Sequence, residues 1–170
     1  GAFHAIMEKM TASAIDYINY QIDEGVQAIQ IFDSWVGCLS VSDYRNYVFA
    51  YSKKLIDSIS GKVPIIHFGT GNPSLLPLMT EAGGDVMALD WRAPLKESWD
   101  LLACKAVQGN MDPIALFGSV DSVRETAESI LEEVGGRPGH IFNLGHGILP
   151  ETPVENVKAL VEFVQGYEIS

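Results

Sequence analysis

The sequence is poor in cysteine and in positive charge, and each scarcity excludes a class of protein. Cysteine occurs only at Cys38 and Cys104 among 170 residues, without a Cys-x-x-Cys spacing. A disulfide framework or a thiolate zinc site needs more sulfur ligands than this. Lysine and arginine total 11 against 22 acidic residues, so that the formal charge is −11. Because nucleic acids are held by cationic side chains, a nucleic-acid partner is not expected.

Long apolar runs are also lacking. No stretch approaches the roughly 20 residues that span a bilayer, and no basic segment precedes an apolar one at the N-terminus. These features predict a soluble, cytoplasmic protein with no membrane partner. Hydrophobic residues nevertheless make up 47% of the chain, which is enough for a buried core. We expect a single domain over residues 1–170.

Helical and strand patterns alternate along the chain. Apolar residues recur three or four apart from Phe3 to Ile22, which predicts a helix that ends at Gly25. Short apolar runs between such helices predict buried strands. The predicted strands cover 28–32, 64–68, 86–89, 106–108 and 140–144, and the later helices cover 44–59, 73–82, 94–103, 122–134 and 153–165. Strands that alternate with helices run parallel, so the expected class is α/β, a series of parallel (β/α) units, either doubly wound or part of a barrel.

Capping signals predict where two of the helices begin. Ser122 and Glu125 have the spacing of a capping box, which places an N-cap at Ser122. Thr152 is the expected N-cap of the last helix, with Pro153 at its first position and Glu155 at its third.

Polar and aromatic residues follow the predicted strands, where parallel α/β sheets bind ligands. His146 lies between two glycines, which let the backbone turn sharply and the ring enter a cleft, so a functional role is favoured. Asp33 and Asp90 suit a site or a helix cap equally well. Ser34 also suits a cap, and a nucleophile elbow is not expected because no Gly-x-Ser-x-Gly surrounds it. His67, inside an apolar strand, is more typical of a core imidazole.

Four segments, in this order, resemble the uroporphyrinogen decarboxylase family. They are 30–35 (QIFDSW), 89–91 (LDW), 108–113 (QGNMDP) and 143–150 (NLGHGILP). The resemblance extends from the first helix to the C-terminus. It implies a cofactor-free (β/α)8 barrel that removes the carboxyl groups of four acetate side chains of uroporphyrinogen III and gives coproporphyrinogen III, in heme and chlorophyll synthesis.

The resemblance also implies roles for individual residues. His146 is the expected catalytic residue, a contact to substrate carboxylates, while Ser34 is expected to hydrogen-bond the substrate and Phe32 to form part of an apolar wall. Neither a metal nor a cofactor is expected. The positions expected to support the rim of the cleft are Asp33, Asp90, Trp91 and Asn110.

Many of the residues with which the family binds its substrate have no counterpart in this sequence. The family's central aspartate, its arginine-rich loop and a cleft tyrosine belong to its first three barrel strands. The arginines of this sequence are Arg45, Arg92, Arg124 and Arg137, and only Arg92 follows a predicted strand. Desolvated carboxylates need cationic partners, so we expect the chain to turn over little substrate by itself. We expect it to be the C-terminal part of a barrel, with roughly five of the eight strands.

Two alternatives remain open at this point. Corrinoid-linked methyltransferases of the same superfamily hold zinc through a His-x-Cys and a cysteine in the C-terminal glycine loop; the corresponding segments here, 67–69 and 145–147, contain no thiolate. The other alternative is a non-catalytic fragment that self-associates. Open sheet edges and apolar helix faces predict that the chain forms a homo-oligomer, namely a dimer, whether or not it is catalytic.

Overall fold

The computed structural model describes residues 1–71, 73–102 and 104–168. Asn72, in the loop after the second predicted strand, and Ala103, at the predicted end of a helix, lie outside the described residues. The described α-helices are α1 (Ala2–Asp23), α2 (Val41–Tyr47), α3 (Phe49–Ile59), α4 (Leu76–Ala82), α5 (Leu95–Leu102), α6 (Val120–Val134) and α7 (Val154–Gly166). The described strands are β1 (Ile29–Asp33), β2 (Ile65–Gly69), β3 (Val86–Ala88), β4 (Ala106–Gln108) and β5 (His140–Ile141). Short 3-10 helices cover Val36–Cys38, Pro73–Leu75 and Pro113–Phe117.

The chain forms two compact units, Gly1–Met87 and Ala88–Ser170. In the first unit β1 pairs in parallel with β2, with Ile29 opposite Ile65 and Asp33 opposite Gly69. In the second unit β4 pairs in parallel with β5, with Val107 opposite His140. Strands that follow one another in the chain are neighbours, which confirms the predicted parallel α/β series. A single domain over residues 1–170 stays a prediction.

The first two strands begin one residue later than predicted, because the parallel register starts with the pair Ile29 and Ile65. Asp33 is therefore the last residue of β1 rather than the first residue after it. β5 is shorter than predicted. The Asn143 side chain accepts the N–H of Leu144 at 2.8 Å, and Leu144 forms an isolated parallel bridge with Met111.

The predicted helix over 44–59 is in fact two helices, α2 and α3, separated at Val48. Val48 has φ −122° and ψ −46°, outside ordinary helical geometry. The N-cap of α2 is Ser40, whose hydroxyl accepts the N–H of Asp43 at 3.0 Å. The apolar spacing continues through the break, which is why periodicity could not reveal it.

Both predicted N-caps are wrong. The N-cap of α6 is Ser119, three residues before the predicted Ser122, and its hydroxyl accepts the N–H of Ser122 at 3.2 Å. Ser122 matches the capping box through Glu125, whereas Ser119 does not, yet Ser119 offers the same hydroxyl three residues earlier and the helix begins there. The N-cap of α7 is Pro153, with extended backbone and no side-chain cap, instead of Thr152. The predicted C-terminal end of α6 at residue 134 agrees with the structure, and Gly135 follows in the left-handed conformation.

Each unit has its own apolar core. In the first unit Ile29 and Ile65 of the strands pack with Ile56, Ile59 and Ala82 of the helices. In the second unit the core consists of Met111, Leu116, Val123, Ala127 and Leu160. None of the described helices combines the length and the apolarity needed to cross a membrane.

Candidate functional site

The carboxyl end of β1 carries three of the predicted site residues, Phe32, Asp33 and Ser34. The Phe32 ring is 65% exposed and meets Phe68 of β2 edge to face, at a centroid distance of 5.9 Å. Ser34 is half-buried, and its carbonyl accepts a hydrogen bond from the Thr70 hydroxyl at 2.6 Å. This bond ties the segment after β1 to the segment after β2.

A buried polar cluster lies beneath this end of the strands. His67 of β2 is fully buried, with Nδ1 3.1 Å from the Gly83 carbonyl oxygen. Its Nε2 lies 3.9 Å from Oδ2 of Asp33. Tyr44 of α2 is also fully buried; this burial, and after it the negative charge of Asp33, raises the pKa of Tyr44 to about 12.

In the second unit a buried carboxylate holds an arginine after β3. Asp90 is buried, and it accepts the main-chain N–H of Arg92 at 2.8 Å and the Arg92 Nη1 at 2.6 Å. The Arg92 guanidinium lies 3.7 Å from the centroid of the Trp91 ring, in cation–π contact. About half of the arginine side chain is exposed. A cation is therefore presented on a flat aromatic surface.

His146 belongs to the same group of side chains. Its imidazole meets the Trp91 indole edge to face, with centroids 5.9 Å apart. The glycine before it allows this approach, because a Cβ at position 145 would overlap the Trp91 main-chain nitrogen and lie 2.9 Å from the Trp91 Cα. The N–H of Gly145 donates to the Met111 carbonyl at 2.7 Å. The loop is thus fixed by its backbone, and the His146 side chain is exposed.

Asn110 supports this group from below. Its buried side-chain amide donates to the carbonyl oxygens of Asp90 at 3.1 Å and of Ala93 at 2.6 Å. These two bonds hold the turn that carries Trp91 and Arg92. The second unit thus brings together four predicted positions, namely Asp90, Trp91, Asn110 and His146.

Sequence reasoning missed two participants. Arg92 was distinguished only as the one arginine after a predicted strand, and His67 was interpreted as an ordinary core residue. A signal for His67 existed in the pairing of β1 with β2. Ile31 lies opposite His67, and side chains two residues apart share a face of a strand, so Asp33 and His67 face the same side.

No three histidine, cysteine, aspartate or glutamate side chains of 1–71, 73–102 and 104–168 are grouped so as to hold a metal ion. Cys38 is exposed at the end of a 3-10 helix in the first unit, and Cys104 is half-buried in the second.

The family model of uroporphyrinogen decarboxylase (URO-D) matches residues 1–167. The chain belongs to this family. The uroporphyrinogen decarboxylase of Koribacter versatilis (strain Ellin345) is 51% identical over 169 residues, which are 98% of this chain and 48% of that protein. The uroporphyrinogen decarboxylase of Carboxydothermus hydrogenoformans is 48% identical, over 96% of this chain and 47% of that protein.

The chain therefore spans about half the length of the curated relatives it matches. Among solved structures, a methyltransferase from Methanosarcina mazei is similar with a TM-score of 0.77 and 26% identity, over 91% of this chain and 46% of that chain. The resemblance stated from the four loop segments is thereby confirmed, and so is the α/β fold class.

Proposed function

We propose that the chain is part of an enzyme that decarboxylates the acetate side chains of uroporphyrinogen III to give coproporphyrinogen III, without a cofactor. One observation carries the proposal. In a chain of the uroporphyrinogen decarboxylase family, an exposed imidazole and a stacked guanidinium meet on one indole ring at the loops around Trp91 and His146. This arrangement combines a flat apolar surface with donors suited to carboxylates.

The chemistry needs both properties. The substrate is a macrocycle of pyrrole rings with carboxylates at its periphery, so its rings suit an aromatic surface and its side chains suit N–H donors. When an acetate carboxyl leaves as CO2, the electron pair of the broken bond passes into a pyrrole ring that has been protonated on carbon. We assign His146 to hold a carboxylate through an imidazole N–H, with the remaining N–H donors of Arg92 nearby.

Residues of the first unit have a supporting role in the proposal. The exposed Phe32 ring supplies an apolar wall, and the Ser34 hydroxyl supplies a hydrogen bond. Asp33, between them, is assigned to the supporting rim, as are Asp90, Trp91 and Asn110. Each of these assignments rests on the resemblance to the family, and the carboxyl ends of the strands are where barrels of this class bind ligands.

The chain alone is expected to turn over little substrate. The substrate carries eight carboxylates, but of the four arginines in this sequence Arg92 is the one that follows a strand. We propose that the chain supplies the C-terminal part of the family's barrel and that the rest of the protein supplies further cationic groups. We further propose a cytoplasmic location and a homodimer, the latter because Phe3, Ile6 and Met10 of α1 are exposed apolar residues.

A chimera tests the proposal directly. This chain would replace the matching half of the Koribacter versatilis relative, and coproporphyrinogen formation would be measured without oxygen. We expect turnover by the chimera and little by the 170-residue chain. A folded but inactive chimera would count against the proposed function, and robust turnover by the chain alone would refute its dependence on the rest of the barrel.

His146→Gln in the same chimera tests the role of the imidazole. Loss of a charge-assisted hydrogen bond should reduce kcat/KM by about 10- to 100-fold. His4→Gln is the matched control, because His4 is an exposed histidine on α1 with Tyr51 as its partner. Equal rates for the two variants would remove His146 from the site.

A methyltransferase is the second candidate, favoured by the similarity to the Methanosarcina mazei protein. The zinc site expected of a corrinoid-linked methyltransferase would need ligands at 67–69 and 145–147, where the sequence has histidine but no thiolate. Metal analysis of the purified chimera distinguishes the two candidates. Stoichiometric zinc would favour the methyltransferase.

A further inference from the structure

The buried pair formed by Asp33 and His67 has an unusual balance of donors and acceptors. Nε2 of His67 and Oδ2 of Asp33 are both buried, and neither has a hydrogen-bond partner within residues 1–71, 73–102 and 104–168. The two atoms face each other at 3.9 Å, beyond hydrogen-bond distance. Buried polar atoms without partners are costly, so this pair calls for a physical explanation.

The other nitrogen of the ring decides which protons are present. Nδ1 of His67 lies 3.1 Å from the Gly83 carbonyl oxygen, which can only accept a hydrogen bond, so Nδ1 carries the proton. In the neutral imidazole Nε2 then bears a lone pair. An ionised Asp33 also offers only lone pairs. Two acceptors would face each other in a buried space, and no hydrogen bond could form between them.

We infer that Asp33 and His67 together bind one proton from solvent, which draws Nε2 and Oδ2 from 3.9 Å to hydrogen-bond distance and converts the two facing acceptors into a hydrogen-bonded pair. The proton belongs either to an imidazolium that donates to the carboxylate or to a carboxylic acid that donates to the neutral imidazole. In both forms the net charge of the pair changes from −1 to zero, which favours its burial.

Two glycines pack tightly beside this pair. Gly69 lies opposite Asp33 in the strand register, and a Cβ there would lie 2.5 Å from the end of the Met79 side chain. Gly84 lies against the ring-bearing carbon of His67, where an added Cβ would be 3.1 Å away and where φ is +119°. A larger residue at position 84 would therefore displace His67.

Two further titratable side chains lie near the pair, and the hydroxyl of one of them, Tyr44, is also buried without a hydrogen-bond partner among the described residues. Tyr44 approaches Asp33 from α2, and its phenol stays neutral well beyond neutral pH because burial raises its pKa to about 12. Asp85, which precedes β3, accepts the N–H of Ile65 at 2.8 Å at the opposite end of β2. Asp33 and His67 are thus the two groups positioned to share the proton.

The shared proton has a structural role. Asp33 lies between Phe32 and Ser34, so a hydrogen bond between Asp33 and the buried imidazole fixes the orientation of the carboxyl end of β1. His67 is in this sense a positioning residue. The inference concerns protonation in the folded chain and does not depend on the proposed decarboxylation.

Nuclear magnetic resonance of the 170-residue chain tests the inference, with ¹⁵N-labelled histidine and ¹³C-labelled aspartate. We expect His67 to carry protons on both nitrogens, or Asp33 to be a carboxylic acid, at some pH between about 8 and 5. A neutral His67 protonated on Nδ1 only, beside an ionised Asp33 over this whole range, would overturn it. A His67 protonated on Nε2 alone would also overturn it, since that tautomer donates without an added proton.

Asp33→Asn gives a second readout. Its side-chain amide can donate to the Nε2 lone pair, so the variant should show neutral His67 with a hydrogen-bonded, unprotonated Nε2 at every pH in the range. Asp16→Asn, at an exposed position of α1, is the matched control and should leave the His67 signals unchanged. Identical His67 signals in wild type and Asp33→Asn would contradict the inference. The wild-type measurement stands alone if the variant does not fold.

Discussion

The Trp91 indole and the His146 imidazole meet edge to face, with centroids 5.9 Å apart and ring planes at 89°. Pairs of this geometry contribute about 0.5–1.5 kcal/mol beyond their buried area. The same indole is in cation–π contact with Arg92. Trp91 therefore fixes both candidate carboxylate-binding groups of the second unit, and the approach of the backbone at Gly145 makes the pairing possible.

Gly145→Ala should separate the two rings. The added methyl group would overlap the Trp91 backbone, so the loop has to move, at a cost of about 1–3 kcal/mol in the free energy of unfolding. Urea denaturation measures this cost. Gly147→Ala is the control, because a Cβ there meets nothing within 4 Å, and it should change stability by less than about 0.5 kcal/mol. Equal effects would show that Gly145 is not a packing constraint.

Ser119→Ala should destabilise the second unit by about 1 kcal/mol, because it removes the side-chain cap of α6. Ser122→Ala should have a smaller effect, since Ser122 contributes its main-chain N–H to the cap and alanine retains that group. Thermal or urea unfolding of both variants decides between the two serines. A larger loss at Ser122 would restore the capping box that the sequence predicted.

The capping error shows where sequence patterns lose resolution. Hydrophobic spacing predicted all five strands and the outer bounds of most helices, because burial of one face requires that spacing. It could not choose between Ser119 and Ser122, which offer the same hydroxyl three residues apart. It also could not show the break at Val48, since the apolar residues on either side keep helical spacing through a single non-helical residue.

Stability of the second unit should fall as the pH decreases below about 6.5, the ordinary pKa of histidine. Burial lowers the pKa of His140, an effect only partly opposed by its hydrogen bond to the Gly109 carbonyl, at 2.6 Å. Above the ordinary value both states are neutral. Below it the unfolded chain takes up the proton first, so the folded state loses stability until the lowered folded pKa is reached.

His140→Gln removes this source of pH dependence. Unfolding free energies of wild type and variant, measured from about pH 8 to about pH 5, should show a shallower acid-side loss for the variant. Gly145→Ala serves as the control, because it carries no titrating group and should keep the wild-type slope. An unchanged slope in His140→Gln would contradict the prediction.

An alkaline loss of stability is expected in the first unit. Burial first, and then the charge of Asp33, raises the pKa of Tyr44 from 10.0 to about 12. The unfolded chain therefore loses the phenolic proton first, and stability falls as the pH rises from about 10 to about 12. Tyr44→Phe lacks this proton, so it should lose less stability over that window. Alkaline unfolding curves of the two proteins with the same slope would contradict this.

The candidate site was predicted more completely in one unit than in the other. Asp90, Trp91, Asn110 and His146 were expected at strand ends and are brought together in the second unit. The partnership of Asp33 with His67 was not expected, because a histidine in an apolar strand has no distinguishing local pattern. Strand register is needed to place the two side chains on one face.

Two main-chain hydrogen bonds join the loop that carries His146 to the segment that follows β4. Met111 donates its N–H to the Asn143 carbonyl at 3.1 Å and accepts the N–H of Gly145 at 2.7 Å. Neither bond involves a side chain of the loop, so exchanging residue 146 leaves both in place. Position 146 is consequently suited to substitution with lysine, arginine or a noncanonical imidazole, because each side chain would extend from the same backbone position. The preference for one anion over another could then be altered without redesigning the loop.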